Sequence, residues 1–233
     1  MQIMKQLARI SGVSYLIIFL AGFYANFAVL ESLIDKNNSA ITATNFINNH
    51  IQLGNGLLGF VVMLFFDALL VWSLFGLTKS TSKRMSYLAS FFRLLHALFF
   101  GVALFKLWAA YQITFNTTIS TNLQNRVSDL LLDFDTFWTV GLLFFGFHLL
   151  VLGYLALKSI TIPKVIGILL MLAAIGYIID STAKLMMPNY IDYKNVFEMV
   201  VIIPSVIGEF SFTVWLLIKG FKKQSQQEIV KIV

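Results

Sequence analysis

At 233 residues, 58% of them hydrophobic and 12% charged, the chain carries more apolar surface than a soluble core can bury, since ordinary soluble domains hold about 45–50% apolar and about 25% charged residues. That composition excludes a separate soluble domain and points to lipid as the solvent, because a bilayer accepts apolar side chains around the whole circumference of a helix. The absence of cysteine excludes disulfides and thiolate chemistry, and the net charge of +6 does not signal nucleic acid, because the basic residues flank apolar stretches rather than forming a patch interleaved with aromatics.

Six apolar stretches follow in order, at 11–33, 53–78, 85–112, 134–157, 163–185 and 197–219. Each reaches the roughly 20 residues that a helix needs to cross hydrocarbon. The first follows Lys5 and Arg9 but outruns a signal-peptide core and lacks a small-x-small cleavage site, so it is read as a span. The connection 34–52 is rich in Asn, Thr and Ser and reads as a solvated loop. A short basic connection holding Lys79, Lys83 and Arg84 joins the second and third stretches. Before the fourth, residues 121–132 place Leu123, Val127, Leu130 and Leu131 at helical spacing, which predicts a short helix lying on the outer surface. Asp129, Asp133 and Asp135 are expected to offset the amino-terminal dipole of the fourth span; without a second acidic motif they do not read as a magnesium–diphosphate site. The tail FKKQSQQEIVKIV is polar, with lysines suited to anionic headgroups.

Cytoplasmic loops retain positive charge. Of the 17 Lys and Arg residues, eleven fall at the amino end, in the second and fourth connections and in the tail, four fall on the opposite side, and Arg93 and Lys106 lie within the third span. The expected fold is therefore all-α: a polytopic bundle of about six transmembrane helices in the cytoplasmic (inner) membrane, both termini cytoplasmic. Residues 1–220 would form one six-helix domain and 221–233 a cytoplasmic polar tail.

A charged side chain at mid-bilayer costs about 2.5–3.5 kcal/mol on insertion scales, so each one kept there asks for a partner or a purpose. Asp67, Arg93, His96, His148 and Glu209 fall at one level, roughly 14–18 Å from the basic ends at about 1.5 Å per residue. Arg93 and His96 share a face at i, i+3, and Ser205, Glu209 and Thr213 form a polar stripe. Arg93 is expected to pair with Asp67, Glu209 or both. Two readings follow: a polar chamber for a small anion, a proton or a lipid headgroup, in which His148 and a carboxylate exchange protons, or a buried pair that fixes which helices meet.

Nearer the outside, Asp180 and Lys184 stand at i, i+4 and are expected to pair, while Lys106 can snorkel outward. Trp72, Trp108, Trp138 and Trp215 read as an interfacial belt near helix ends. Gly56, Gly59, Gly141, Gly146, Gly167, Gly176 and Gly208 permit close helix approach. Pro204 frees the carbonyl of Val200 and predicts a kink beside the polar level.

Five segments, ARISGVSYLIIFLAGFYANF (8–27), FFRLLHALFFGVALFKL (91–107), GLLFFGFHLLVLGYLALKS (141–159), IPKVIGILLMLAAIGYIIDS (162–181) and PSVIGEFSFTVWLLIKG (204–220), together resemble a family of bacterial multi-pass membrane proteins, domain-of-unknown-function family 4386. The resemblance covers nearly the whole chain. It implies a membrane fold and carries no activity, substrate or catalytic residue.

The sequence contains no P-loop, H-E-x-x-H, G-x-G-x-x-G, G-x-S-x-G or Cys/His metal framework, so no cofactor or metal is predicted and no catalytic motif is recognised. Three classes of function remain open. The first binds or moves a small ligand, ion or lipid at the mid-membrane cluster of Asp67, Arg93, His148, Glu209 and His96. The second is a membrane-embedded enzyme using His148 as base, or a haem protein with His96 and His148 as axial ligands. The third is a scaffold or partner subunit. The expected partners are the lipid bilayer and a small-molecule or lipid ligand, with no nucleic acid.

Overall fold

A computed structural model describes residues 2–35, 38–115 and 117–222. Lys36 and most of the expected polar tail, residues 223–233, lie outside the described residues. Among the described residues, six helices are long and apolar enough to cross a membrane: α1 (Gln2–Leu33), α3 (His50–Thr78), α4 (Lys83–Ile113), α5 (Thr121–Lys158), α6 (Lys164–Met186) and α7 (Tyr190–Phe221). Their lipid-facing sides carry large apolar groups such as Phe65, Trp72, Phe105 and Ile203 in exposed positions. In water this surface would drive aggregation; in hydrocarbon it is solvated.

The first span begins well before residue 11, at Gln2, and its last third winds as a π-helix over Tyr24–Leu30. The connection expected to be a solvated loop contains a further helix, α2 (Ser39–Asn48), started by Asn38, whose side chain accepts from the backbone N–H groups of Ala40 and Ile41. Short polar side chains obscured it, but Ala43 and Phe46 are fully buried and Thr42 nearly so.

The short surface helix expected over 121–132 is not a separate element. Ser120 caps α5, accepting from Leu123 N–H at 3.2 Å, and no Gly or Pro interrupts the chain before Gly141. One continuous 38-residue helix results, roughly 57 Å long at about 1.5 Å per residue against hydrocarbon about 30 Å thick. In its first turns Val127 joins Ala43 and Phe46 in one buried cluster. The apolar face expected on the membrane surface covers α2 instead. Asp129, Asp133 and Asp135 consequently lie well inside α5 and cap nothing.

Each spanning helix packs chiefly on the next, α1 on α3, α3 on α4, α4 on α5, α5 on α6 and α6 on α7, and α7 returns to α1. The six therefore close a ring. At the closure Lys5 Nζ donates to the Lys222 carbonyl at 3.3 Å and Arg9 Nη2 donates to the Gly220 carbonyl at 3.2 Å. A Cβ on Gly220 would stand 2.5 Å from Arg9 N, so only glycine lets the two ends meet. Two large apolar clusters, one around Phe46, Phe60 and Phe100 and the other around Leu70, Leu149 and Phe212, and a smaller one around Ala89, Val151 and Leu155 fill the interior. The second of these clusters includes Tyr15 and Phe145, which contact Arg93.

α7 runs through Pro204 as a helix. Proline leaves the Val200 carbonyl without its i+4 donor, and that oxygen faces α6, where a Cβ on Gly176 would stand only 2.6 Å from it.

Candidate functional site

Arg93 is the centre of the site and is 1% exposed. Its Nη2 donates to Asp67 Oδ1 at 2.5 Å and its Nε to the Asp67 carbonyl at 3.4 Å. Its Nη1 donates to Tyr15 Oη at 3.0 Å and to His148 Nε2 at 3.1 Å. The guanidinium also lies over the rings of Tyr15, 5.1 Å to the centroid, and Phe145, 5.5 Å. One side chain on α4 thus binds α1, α3 and α5.

Partner chemistry fixes the histidine tautomer. Arginine has no acceptor and a carbonyl no donor, so His148 accepts at Nε2 and donates from Nδ1 to the Ala89 carbonyl at 2.8 Å. Both ring nitrogens of His148 are committed to the fold. His96, 4% exposed, holds its Nε2 3.7 Å from Asp67 Oδ2.

Glu209 does not meet Arg93. It accepts from the Tyr177 hydroxyl at 3.1 Å, and among the described residues no cationic side chain comes within 4.0 Å of it. Of the two expected carboxylate partners of Arg93, Asp67 alone pairs with it. The polar stripe of α7 is held by its own backbone, Ser205 donating to the Ile202 carbonyl and Thr213 to that of Glu209.

Asp67, Arg93, His96 and Glu209, joined by Tyr15 and Tyr177, line a single cavity of about 310 Å³. His148 lies behind it, against Arg93. That volume is at the lower end of the roughly 300–1,000 Å³ usual for ligand pockets. Asp67 is 2% exposed, and its Oδ2 has no hydrogen-bond partner among the described residues.

Tyr15 and Tyr177, which the sequence does not single out, complete the site together with Trp138. Mid-span position was the available signal for the tyrosines, since a hydroxyl far from the interface needs a buried partner. The sequence reads Trp138 as part of an interfacial belt, but the early start of α5 places it within the helix, edge-on to Phe60 and Phe100 at 5.7 and 4.9 Å between ring centroids.

The second charged level, nearer the span ends opposite the termini, is wired differently from the expected helical pair. Lys184 reaches Asp135 on α5 at 2.5 Å, Asp180 accepts from the Tyr190 hydroxyl at 2.6 Å, and Lys106 reaches Asp133 at 2.8 Å. Because α5 already extends past this level, two of its aspartates answer lysines on the helices at either side. Among the described residues, no three His, Asp or Glu side chains are grouped to hold a metal ion.

Residues 10–220 match the family described as "Domain of unknown function (DUF4386)". The chain belongs to this family. It is also 30% identical over 186 residues to a protein of Archaeoglobus fulgidus (strain ATCC 49558 / DSM 4304 / JCM 9628 / NBRC 100126 / VC-16) described as "Uncharacterized protein", a match covering 78% of this chain and 94% of the relative. No solved structure matches.

Proposed function

We propose that this protein binds, and moves between the two sides or into the plane of the bilayer, a small ligand held in the mid-membrane cavity. The observation that carries this reading is the division of the polar cluster. Arg93, Tyr15 and His148 satisfy one another and Asp67 Oδ1, whereas the Glu209 carboxylate, on another helix, lines the cavity and has no cationic side chain within 4.0 Å among the described residues. A purely architectural pair has no need of a second buried carboxylate on another helix, where it costs several kcal/mol.

The Arg93 network is favoured as architecture, so the structural role weighed from the sequence is assigned to those residues alone. The enzyme and haem readings require His148 as base or ligand, and its acceptor nitrogen is already used by Arg93. The distribution of Lys and Arg supports the cytoplasmic membrane with both termini inside.

Native mass spectrometry of the full chain in mild detergent, with an absorbance spectrum on the same sample, tests the proposal. A stoichiometric bound molecule is expected, and Ser205→Leu, which extends a branched side chain into the cavity, should abolish it while leaving the protein folded. A folded wild-type protein that carries no bound molecule and takes none up from a lipid extract would overturn the reading.

A further inference from the structure

The cavity has a wall that faces lipid. Five of its lining side chains are exposed, Phe19 (46%), Phe23 (58%), Phe27 (51%), Val206 (46%) and Phe210 (49%), and all five belong to α1 or α7. Every other lining residue is buried or half-buried. The contacts of these two helices explain the gap. Towards the termini they touch, with a Cβ on Gly12 meeting Leu217 N at 2.9 Å and Gly220 seated on Arg9. Phe19 and Phe210 mark the last crossing, their rings 6.2 Å apart. Beyond it α1 leans on α3, where Gly56 meets Val29 and Gly59 meets Ala25, and α7 leans on α6, where Gly176 meets Val200. The ring is thus parted on its far half. The π-helical turns of α1 run along one side of the gap and bring Asn26 into the cavity lining; such windings recur at functional sites.

The floor behind this gap is acidic. Four of the five N–H groups of Arg93 are already donated to Tyr15, His148 and the two Asp67 oxygens, and its charge is matched by Asp67. Glu209 adds a further carboxyl group at the cavity wall, and Asp67 Oδ2, buried behind it 3.7 Å from His96 Nε2, accepts no hydrogen bond among the described residues. An anionic headgroup would meet two carboxylates and an arginine with little left to donate.

Resting on the ligand-binding reading above, we propose that the ligand is a cationic amphiphile, an amine with an apolar tail, which enters sideways from the leaflet opposite the chain termini through the gap between α1 and α7. Its ammonium group is held by Glu209, and its tail lies along Phe19, Phe23 and Phe210. The anion considered from the sequence is the opposite of what this floor accepts.

The full chain in lipid nanodiscs, titrated with octylamine, octanol or octanoate against empty nanodiscs, reads the class of ligand through tryptophan fluorescence, since Trp138 lines the cavity. Octylamine should saturate, with Glu209→Gln weakening it at least tenfold and leaving octanol unaffected. Octanol or octanoate binding as tightly as octylamine, or octylamine binding that ignores Glu209→Gln, would overturn the cationic class while the cavity still binds a ligand. Absence of saturable octylamine binding would overturn it as well, and the native mass spectrum then judges the cavity separately. The route has its own test, which leaves Glu209 in place. The chain has no native cysteine, so Phe27→Cys/Val206→Cys, at exposed lining positions beyond the crossing, can be joined by a bismaleimide across the gap; octylamine uptake should slow at least tenfold relative to the same variant before cross-linking, and unchanged uptake would overturn lateral entry.

Discussion

Arg93→Leu removes the donor around which four helices meet. Asp67 would then be a lone carboxylate, 2% exposed, at mid-span, at a cost of about 2.5–3.5 kcal/mol. Tyr15 Oη and His148 Nε2 each lose a partner, and hydrogen bonds between membrane helices average about 0.6 kcal/mol. The expected loss is about 4 kcal/mol, within the range of about 3–5 kcal/mol seen when one member of a buried pair is removed. Asp67→Leu in the same chain takes away the stranded charge, and the double variant should return to within about 1.5 kcal/mol of the wild type. Unfolding by SDS in mixed micelles, followed by far-ultraviolet circular dichroism, measures all four corners of the cycle. A single variant within about 1 kcal/mol of the wild type, or a double variant no better than the single, would refute the view that Arg93 and Asp67 hold the ring together by neutralising each other.

Two other expectations are accessible with similar preparations. Gly176→Ala places a methyl 2.6 Å from the Val200 carbonyl and should cost about 1–3 kcal/mol by overpacking, whereas at Gly101 the nearest atom lies 3.8 Å away and Ala should be neutral in the same SDS titration; equal effects at the two sites would contradict the packing of α6 on α7. Single cysteines at Ser159 and Thr118, in a chain free of other thiols, should react with a membrane-impermeant maleimide from the cytoplasmic and the outer side respectively, and the reverse pattern would invert the topology.

The spans were legible because each is a long apolar run, and Asp67, Arg93 and Glu209 were legible because charge in such runs is conspicuous. Which carboxylate meets Arg93 was not, since it depends on how six helices are rotated, and depth along a helix says nothing of rotation. The helix boundaries failed where polarity misled: α2 and the first turns of α5 are amphipathic and bury Phe46 and Val127 against each other, a contact between segments some 80 residues apart. The expected Asp180–Lys184 pair failed for a related reason, because a helix neighbour at i, i+4 lost to Asp135 on α5 and to Tyr190 on α7. Tyr15 and Tyr177 were overlooked because a tyrosine in an aromatic-rich span does not stand out until its hydroxyl is given a partner.

The closure of the ring by α1 and α7 also bears on biogenesis. Every partner of Arg93 comes from α1, α3 or α5, so its network can be complete as soon as residue 158 has left the ribosome. Tyr177, Glu209 and the Arg9–Gly220 contact arrive only with the last two helices. During synthesis the growing bundle can therefore neutralise its costliest buried charge early, before Tyr177 and Glu209 complete the lining of the cavity.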